Sequence, residues 1–435
     1  MNLYKSLLLI FLFISIFFTT CVTTAPKAFL SSGNFVPVKI PLDFFGMVHA
    51  GNSGTTEEYQ LLNELGAIWL LQTFYWGRIE REKDHFNFTM YDNFVNIAKE
   101  NNKKVIAVMA YDTPWIKSKG EKRRYISPEN ITHFLNFLEV TVRHFKGKVD
   151  VWQIWNEPNF KFWNGTNKEF YELSKLAAQR IRETDPDAYI IGGGYSRVPK
   201  NFIRGMYKAG AMENLDAISF HPYAMTPIAA MRLHDKFIDI LSEINFTKEV
   251  WITEMGYPTA GWYPHKVSLN NLPSYIIKTV VGAAIRNPRV FCWYELFDSH
   301  NHGKAPSNFD SEMFFGLVYP DHSWKDGAFS YSLCANFLPG SYYFPELPKK
   351  TNIPSNIVSY CFMDGASGYN TLIMWNDRNS SQKIKISLST SFTLHDISSG
   401  NNVVMQNDSI INITNKPVFI TWQDTDEIHI TRVTR

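Results

Sequence analysis

From about residue 40 to residue 340, short apolar runs alternate with amphipathic stretches along the chain. The apolar runs are "DFFGMVHA" (43–50), "AIWLLQTF" (67–74), "KVIAVMAYD" (104–112), "DVWQIWNE" (150–157), "YIIGGGYS" (189–196), "LDAISFHPYA" (215–224), "EVWITEMG" (249–256) and "RVFCWYELFD" (289–298). Most are near-continuous rather than strictly alternating, the pattern of strands buried on both faces. Between them, "TEEYQLLNELG" (56–66), "MYDNFVNIAKENN" (90–102) and "EFYELSKLAAQRIRETDP" (169–186) carry apolar residues at helical spacing, and the last stops against Pro186. Eight strands, each followed by room for a helix, predict an α/β fold, a (β/α)8 TIM barrel over residues 40–340. An open doubly wound sheet is the runner-up, but no GxGxxG follows the first strand.

After Gly340 the pattern changes. "FPELPKKTNIP" (344–354) reads as a Pro-broken linker, followed by many short strand-like runs such as "TLIMWND", "QKIKISLS" and "PVFITWQ" between Asn, Asp, Ser and Gly turns. This spacing predicts an antiparallel β-sandwich domain over residues 341–435. At the other end, Lys5 precedes an apolar run from Leu7 to Phe18, the length of a signal-peptide core and short for a membrane span. Residues 1–20 are therefore expected to be a signal peptide and 21–39 a linker or N-terminal extension. Cys21 follows two small residues and resembles a loose lipoprotein box, in which a lipidated Cys21 would attach the chain to a membrane. An ordinary cleaved signal with an incidental cysteine is the alternative. Either way the chain is expected to be exported, secreted or lipid-anchored at the cell envelope.

Composition narrows the partners. A net charge of +2 without a basic block argues against nucleic acid. Lys122-Arg123-Arg124 reads as a solvated loop. The 12 Trp and 21 Tyr exceed what a core needs and suit surfaces that stack on sugar rings. Cys292, Cys334 and Cys361 are widely spaced and odd in number, so they read as buried thiols rather than disulfides or zinc ligands. Asn-x-Ser/Thr triplets at Asn87, Asn130, Asn164, Asn245 and Asn412 are no more than this Asn- and Thr-rich chain produces by chance.

In a (β/α)8 barrel, chemistry sits at the C-terminal strand ends. There the fourth run ends in Asn156-Glu157, the sixth in His221-Pro222-Tyr223 and the seventh in Glu254, while the eighth carries Trp293, Tyr294, Glu295 and Asp298. Two carboxyls facing one another across a mouth are what a glycosidic bond needs. One protonates the departing oxygen, and the other attacks or shields the anomeric carbon. Glu157 alone could be a chance Asn-Glu-Pro turn; its coincidence with Glu254 argues otherwise. Glu295 and Asp298 read as hydrogen-bond partners. "DSHNHG" (298–303), with His322 later, has no recognisable metal spacing, and "IIGGGYS" lacks both a phosphate-loop Lys and a nucleophile elbow.

"WNEP" at one strand end and "WITEMG" at a later one resemble clan A of the glycoside hydrolases, nearest to family 39, the β-xylosidases and α-L-iduronidases. Residues 65–115 resemble the clan's second and third strands with the helix between, and 315–338 its closing helix. The resemblance implies a retaining β-glycosidase acting on an oligosaccharide or glycoside without a cofactor or metal. It assigns Glu157 as acid/base, Glu254 as nucleophile, Asn156 as partner of the sugar 2-hydroxyl, and Tyr223 or His221 as the residue touching the nucleophile. It also assigns Trp293 as an aromatic floor, and Trp76, Trp115 and His49 are added as candidate cleft residues at earlier strand ends. One position departs from the clan: the strand-two arginine that braces the nucleophile is Leu71, while Arg78 reads as a surface residue of a "W-x-R-I-E" turn. Because of Leu71, a non-hydrolytic carbohydrate-binding protein stays open as an alternative, as does a transglycosylase. The sugar, the linkage and endo or exo action are not legible.

Overall fold

A computed structural model describes residues 37–117, 123–262, 264, 266–298, 310–344, 353–423 and 428–433. The N-terminal apolar run, Cys21, His300 and His302 lie outside the described residues, as does most of the Pro-broken linker. Among the described residues, no helix is long and apolar enough to cross a membrane.

A short strand β1 (Val38–Lys39) precedes eight parallel strands: β2 (Phe45–Val48), β3 (Trp69–Tyr75), β4 (Lys104–Ala110), β5 (Val151–Ile154), β6 (Ile190–Ser196), β7 (Ala217–His221), β8 (Glu249–Met255) and β9 (Phe291–Trp293). These close in sequence order into a barrel, with β9 returning to β2 through Phe45 opposite Phe291 and Met47 opposite Trp293. The apolar runs dictate this. In β4 every residue after Lys104 is buried, as is every residue of β2, β5, β7 and β9, so neither strand face can meet water.

The helices around the barrel are α1 (Thr56–Glu64), α2 (Trp76–Ile79), α3 (Thr89–Glu100), α4 (Ile131–His144), α5 (Asn167–Thr184), α6 (Lys200–Lys208), α7 (Pro227–Glu243), α8 (Leu272–Ala284) and α9 (Asp326–Phe337). Local chemistry sets their starts. Thr166 and Glu169 form a reciprocal capping box on α5, and the Thr55 and Thr226 side chains accept the first free amides of α1 and α7. Two irregularities interrupt the barrel register, between Gly192 and Tyr195 and between Ile252 and Met255. Both fall at strand ends on the mouth, where a local change of pairing re-aims side chains.

The C-terminal strands are β10 (Tyr342–Tyr343), β11 (Ile357–Met363), β12 (Asn370–Asn376), β13 (Gln382–Ser387), β14 (Phe392–His395), β15 (Asn402–Met405), β16 (Ser409–Ile413), β17 (Val418–Trp422) and β18 (His429–Arg432). They form a seven-stranded sheet in the order β1-β10-β11-β12-β17-β14-β15 and a three-stranded sheet β16-β13-β18, with every pairing antiparallel. The larger sheet is seated against the barrel's last helices. Phe337 of α9 packs on His395 and Phe419, Ser330 donates to the Ile397 carbonyl, and Lys278 of α8 donates to the Asn415 carbonyl. β12 is buried throughout, as a central strand covered on both faces must be. β1 joins this sheet from ahead of the barrel, so the chain's two flanks are stitched together.

Candidate active site

Glu157 lies three residues past the end of β5, in a turn that holds both Trp155 (φ 66°) and Glu157 (φ 41°) in the left-handed region. Non-glycine residues sit there only when their surroundings hold them. The hold is visible: the Glu157 amide donates to the Gly194 carbonyl at 3.0 Å, and the Gly194 amide donates to Ser219 Oγ at 2.7 Å. Buried Gln153 donates to the Trp155 carbonyl at 3.0 Å and accepts from Ser219 Oγ at 3.3 Å. Gly194 is required twice over. Its φ is +50°, and a Cβ there would lie 2.9 Å from His221 Nε2.

Across the mouth, the end of β8 delivers Glu254, and His221 of β7 stands between the two carboxylates. His221 is fully buried, with Nδ1 3.0 Å from Glu157 Oε1 and 3.4 Å from Glu254 Oε2, and Nε2 3.1 Å from Thr253 Oγ1. One ligand atom each from Glu157, His221 and Glu254 falls within 4.8 Å of the others. Tyr223 donates to Glu254 Oε2 at 3.3 Å. Asn156 bonds the Tyr111 hydroxyl. His49, itself at positive φ, meets Glu295 at 3.0 Å and packs edge-on against Tyr294.

The electrostatics follow from burial and proximity. Burial pushes the Glu254 carboxyl up, opposed by the charge of His221, reinforced by Glu157 and opposed again by His49 and the Tyr223 hydrogen bond. Burial alone would depress His221, but the Glu254 charge and the Glu157 hydrogen bond outweigh it and raise its pKa. His49 behaves alike: burial lowers it, while Glu295 and then Glu254 lift it to a net rise. Two carboxylates and two imidazoles with raised pKa therefore share one mouth. The same three donor atoms on Glu157, His221 and Glu254 are a geometry that a small cation would accept, although a proton on Nδ1 satisfies the same charges.

With this geometry in view, residues 62–249 match the family described as glycosyl hydrolases family 39. The fold is similar to that of a family 39 glycoside hydrolase from the gut symbiont Bacteroides cellulosilyticus, with a TM-score of 0.72 at 19% identity over 88% of this chain and 81% of that one. The chain resembles the family 39 glycoside hydrolases in both barrel fold and sequence. A β-xylosidase of that family from Caulobacter crescentus also superposes, with a TM-score of 0.67 at 13% identity over 90% of this chain and 98% of that one. In sequence, the chain is 24% identical to endo-1,4-beta-xylanase A of Thermotoga maritima over 267 residues, 57% of this chain and 23% of that protein. The chain thus spans about a quarter of that curated relative's length.

In this family 39-like barrel the two glutamates, Asn156, His221, Tyr223 and His49 converge on the mouth. The three tryptophans do not. Trp293 is fully buried against Tyr257, Phe291 and Tyr331. Side chains alternate along a strand, so it faces the helices and the next residue, Tyr294, turns to the mouth. Trp76 is fully buried, stacked 5.7 Å from Phe137 with its indole N–H on Glu80. Trp115 packs edge-on against Trp76 and donates to the Glu80 carbonyl. Trp76 therefore belongs to the core behind the mouth, and Trp115, half-buried, packs against that core.

Leu71 is buried, opposite Val48 and Ile106, with no polar group to offer Glu254. The imidazole that faces Glu254 instead is His221, at 3.4 Å. Glu295 and Asp298 are hydrogen-bond partners: Glu295 of His49, and Asp298 of the fully buried Lys325 at 2.6 Å. Tyr111 and Glu312 are not among the residues the sequence singles out, and Tyr294 is named there only as carried by the eighth run, yet all three stand beside the site groups. Glu312 bonds the Tyr294 hydroxyl at 3.4 Å. For Tyr111, position at a strand end was the available signal; Glu312 lies in a short 3-10 helix (Ser311–Phe314) beyond the last barrel strand and carried none.

Proposed function

We propose that this chain is an exported retaining β-glycosidase, acting on a xyloside or a related β-linked glycoside. The observation that carries the reading is the Glu157–His221–Glu254 cluster, with its ligand atoms within 4.8 Å, at the mouth of an (α/β) barrel. Carboxylate oxygens of Glu157 and Glu254 within 4.8 Å of one another leave no room for a water between Glu254 and the sugar, which favours direct attack and retention over inversion. Glu254 receives the Tyr223 hydroxyl and the His221 imidazole, so its attacking oxygen is oriented. It attacks the anomeric carbon as Glu157 protonates the departing oxygen. Glu157 then takes a proton from the water that releases the sugar. Asn156, held by Tyr111, is aimed to bond the 2-hydroxyl as charge develops on the ring.

The xyloside preference is supported by the names of the similar proteins, a xylanase and a β-xylosidase. The alternative of a non-hydrolytic carbohydrate binder rested on Leu71; what supports hydrolysis against it is His221, 3.4 Å from Glu254. Export and lipid attachment rest on Leu7 to Phe18 and Cys21. Loss of the chain from the membrane fraction in Cys21→Ser tests the anchor.

The decisive test of the activity is a pair of substitutions assayed on aryl β-xyloside, glucoside and galactoside. Glu254→Ala is expected to abolish turnover, with azide restoring part of it and giving the inverted glycosyl azide. Glu157→Ala is expected to slow poor leaving groups far more than activated aryl groups. Full activity in both variants sinks the assignment, and loss of wild-type activity with EDTA would favour a metal at the same three ligands.

A further inference from the structure

Behind the wall of the mouth lies a buried ion pair that the proposed reaction does not use. Lys325, the residue before α9, has no exposed side-chain surface, and its Nζ donates to Asp298 Oδ1 at 2.6 Å. The same ammonium donates to Thr259 Oγ1 at 3.2 Å and to the Phe314 carbonyl at 3.5 Å. Its acceptors come from three separate segments: the loop after β8, the stretch after β9, and the 3-10 turn Ser311–Phe314. Desolvating two charges costs about what their attraction returns, so such a pair adds little net stability over apolar packing. Its distinctive consequence is geometric: a shift of any one segment strands a buried charge or acceptor.

The pinned turn runs directly into the site. Asp298 Oδ1 also accepts the Gly316 amide at 2.9 Å, and Thr259 donates its own amide to the Phe314 carbonyl at 3.0 Å. Position 316 must be glycine for this approach, because a Cβ there would lie 2.1 Å from the Asp298 nitrogen. Between these two anchored residues stands Phe315, buried, its ring edge-on against Tyr223 at 6.2 Å and Tyr294 at 5.2 Å. A Cβ on Gly256, two residues past Glu254, would lie 3.1 Å from the same ring. Tyr223 in turn donates to Glu254 Oε2, and Tyr294 packs on His49. Phe315 is thus wedged between the strand end that delivers Glu254 and the two tyrosines beside it.

We propose that Lys325 is a positioning residue for the nucleophile: through Asp298, Thr259 and the Phe314 carbonyl it fixes Phe315, and Phe315 keeps Tyr223 and Tyr294 seated beside Glu254. The inference rests on the glycosidase reading for the identity of the nucleophile; the pinning of the turn does not. Misplacing an orienting group by about 1 Å costs up to about 100-fold in rate. The sugar-binding groups elsewhere in the mouth are untouched, so the loss falls on kcat rather than KM.

The test is Lys325→Met, which keeps the side-chain length and removes the charge, made alone and together with Asp298→Asn so that no carboxylate is left unpaired. Amide hydrogen exchange read by mass spectrometry is expected to speed up about tenfold or more in peptides covering residues 311–317, with β4 and β5 as protected as in the wild type. On the aryl β-glycoside that the wild type hydrolyses best, kcat of the folded protein is expected to fall about tenfold or more, with KM within about twofold. In a Phe315→Leu background the same substitution is expected to cost less than about threefold, because the path runs through that ring.

Unchanged exchange at 311–317 overturns the pin, and so does exchange that rises equally throughout the barrel, as a merely structural role would produce. A kcat that stays at the wild-type value, or an undiminished loss in the Phe315→Leu background, overturns the positioning role. If neither Lys325 variant folds, the pair is a folding staple, and the proposal falls. A wild type that hydrolyses no glycoside, while the variant exchanges faster at 311–317, leaves the pin standing and sinks the glycosidase reading, so the two failures are distinguishable.

Discussion

His221 is the residue through which the site is most sharply tested. It is fully buried and is the cation-prone group shared by two carboxylates whose oxygens lie within 4.8 Å of one another. Replacing it by Asn keeps an N–H near the Nδ1 position and removes the capacity for charge. At an effective dielectric of about 20, two unit charges at that separation repel by about 3 kcal/mol, or roughly two pK units. His221 opposes the upward push that burial exerts on Glu254, so its loss raises the Glu254 pKa further. The ionised nucleophile then appears only at higher pH. The acidic limb of kcat/KM for an aryl β-glycoside is therefore expected to move up by about one to two pH units in His221→Asn, with kcat reduced about 10- to 100-fold. The measurement is kcat/KM from pH 4 to 9 for wild type and variant. An acidic limb that stays in place, or moves to lower pH, refutes the assigned role of His221.

Further tests concern the supports of the site. Gly194→Ala, with a Cβ 2.9 Å from His221 Nε2 at a φ of +50°, is expected to cost about 2 kcal/mol in urea unfolding and to lower kcat at least about tenfold; wild-type kcat in the variant would remove the tight packing argument. Trp76→Ala should destabilise by about 3–5 kcal/mol while leaving KM of the folded enzyme unchanged, because Trp76 is fully buried behind the mouth; a large rise in KM would return it to the cleft. His234 is buried with neither ring nitrogen hydrogen-bonded, and burial, aided by Arg286, depresses its pKa to about 4. Between pH 6.5 and 4 the unfolded chain thus binds the extra proton, and stability of up to about 3 kcal/mol is lost as pH falls through that window. His234→Leu should flatten this part of the Tm profile, and an unchanged slope would contradict the assignment.

The barrel was legible because its signal is repeated. Eight apolar runs, most too continuous for a half-exposed sheet, each matched an observed barrel strand, and Glu157 and Glu254 could be found by asking what ends them. Side-chain direction was harder to read. At the end of β9, Trp293 and Tyr294 differ by one position, and alternation sends the tryptophan to the helices and the tyrosine to the mouth. Trp76 was misjudged for a related reason: it opens α2 immediately past the end of β3, and its ring is fully buried against Phe134 and Phe137. Leu71 shows what a position-by-position carry-over misses. The brace is absent from strand two, yet His221 of β7 comes within 3.4 Å of the same carboxylate, a contact that is distant in sequence from strand two. Distance in sequence also hid β1, two residues whose pairing with β10 spans the whole barrel.

The central claim is that Glu254 attacks the sugar. It is tested most directly by incubation with 2,4-dinitrophenyl 2-deoxy-2-fluoro-β-xyloside, or the corresponding uronide, followed by proteolysis and peptide mass spectrometry. The account predicts a burst of dinitrophenol and a fluoroglycosyl ester on the peptide that carries Glu254, absent from Glu254→Gln. A label on Glu157, or turnover of ordinary aryl glycoside to the inverted sugar with no trapped ester, would contradict it.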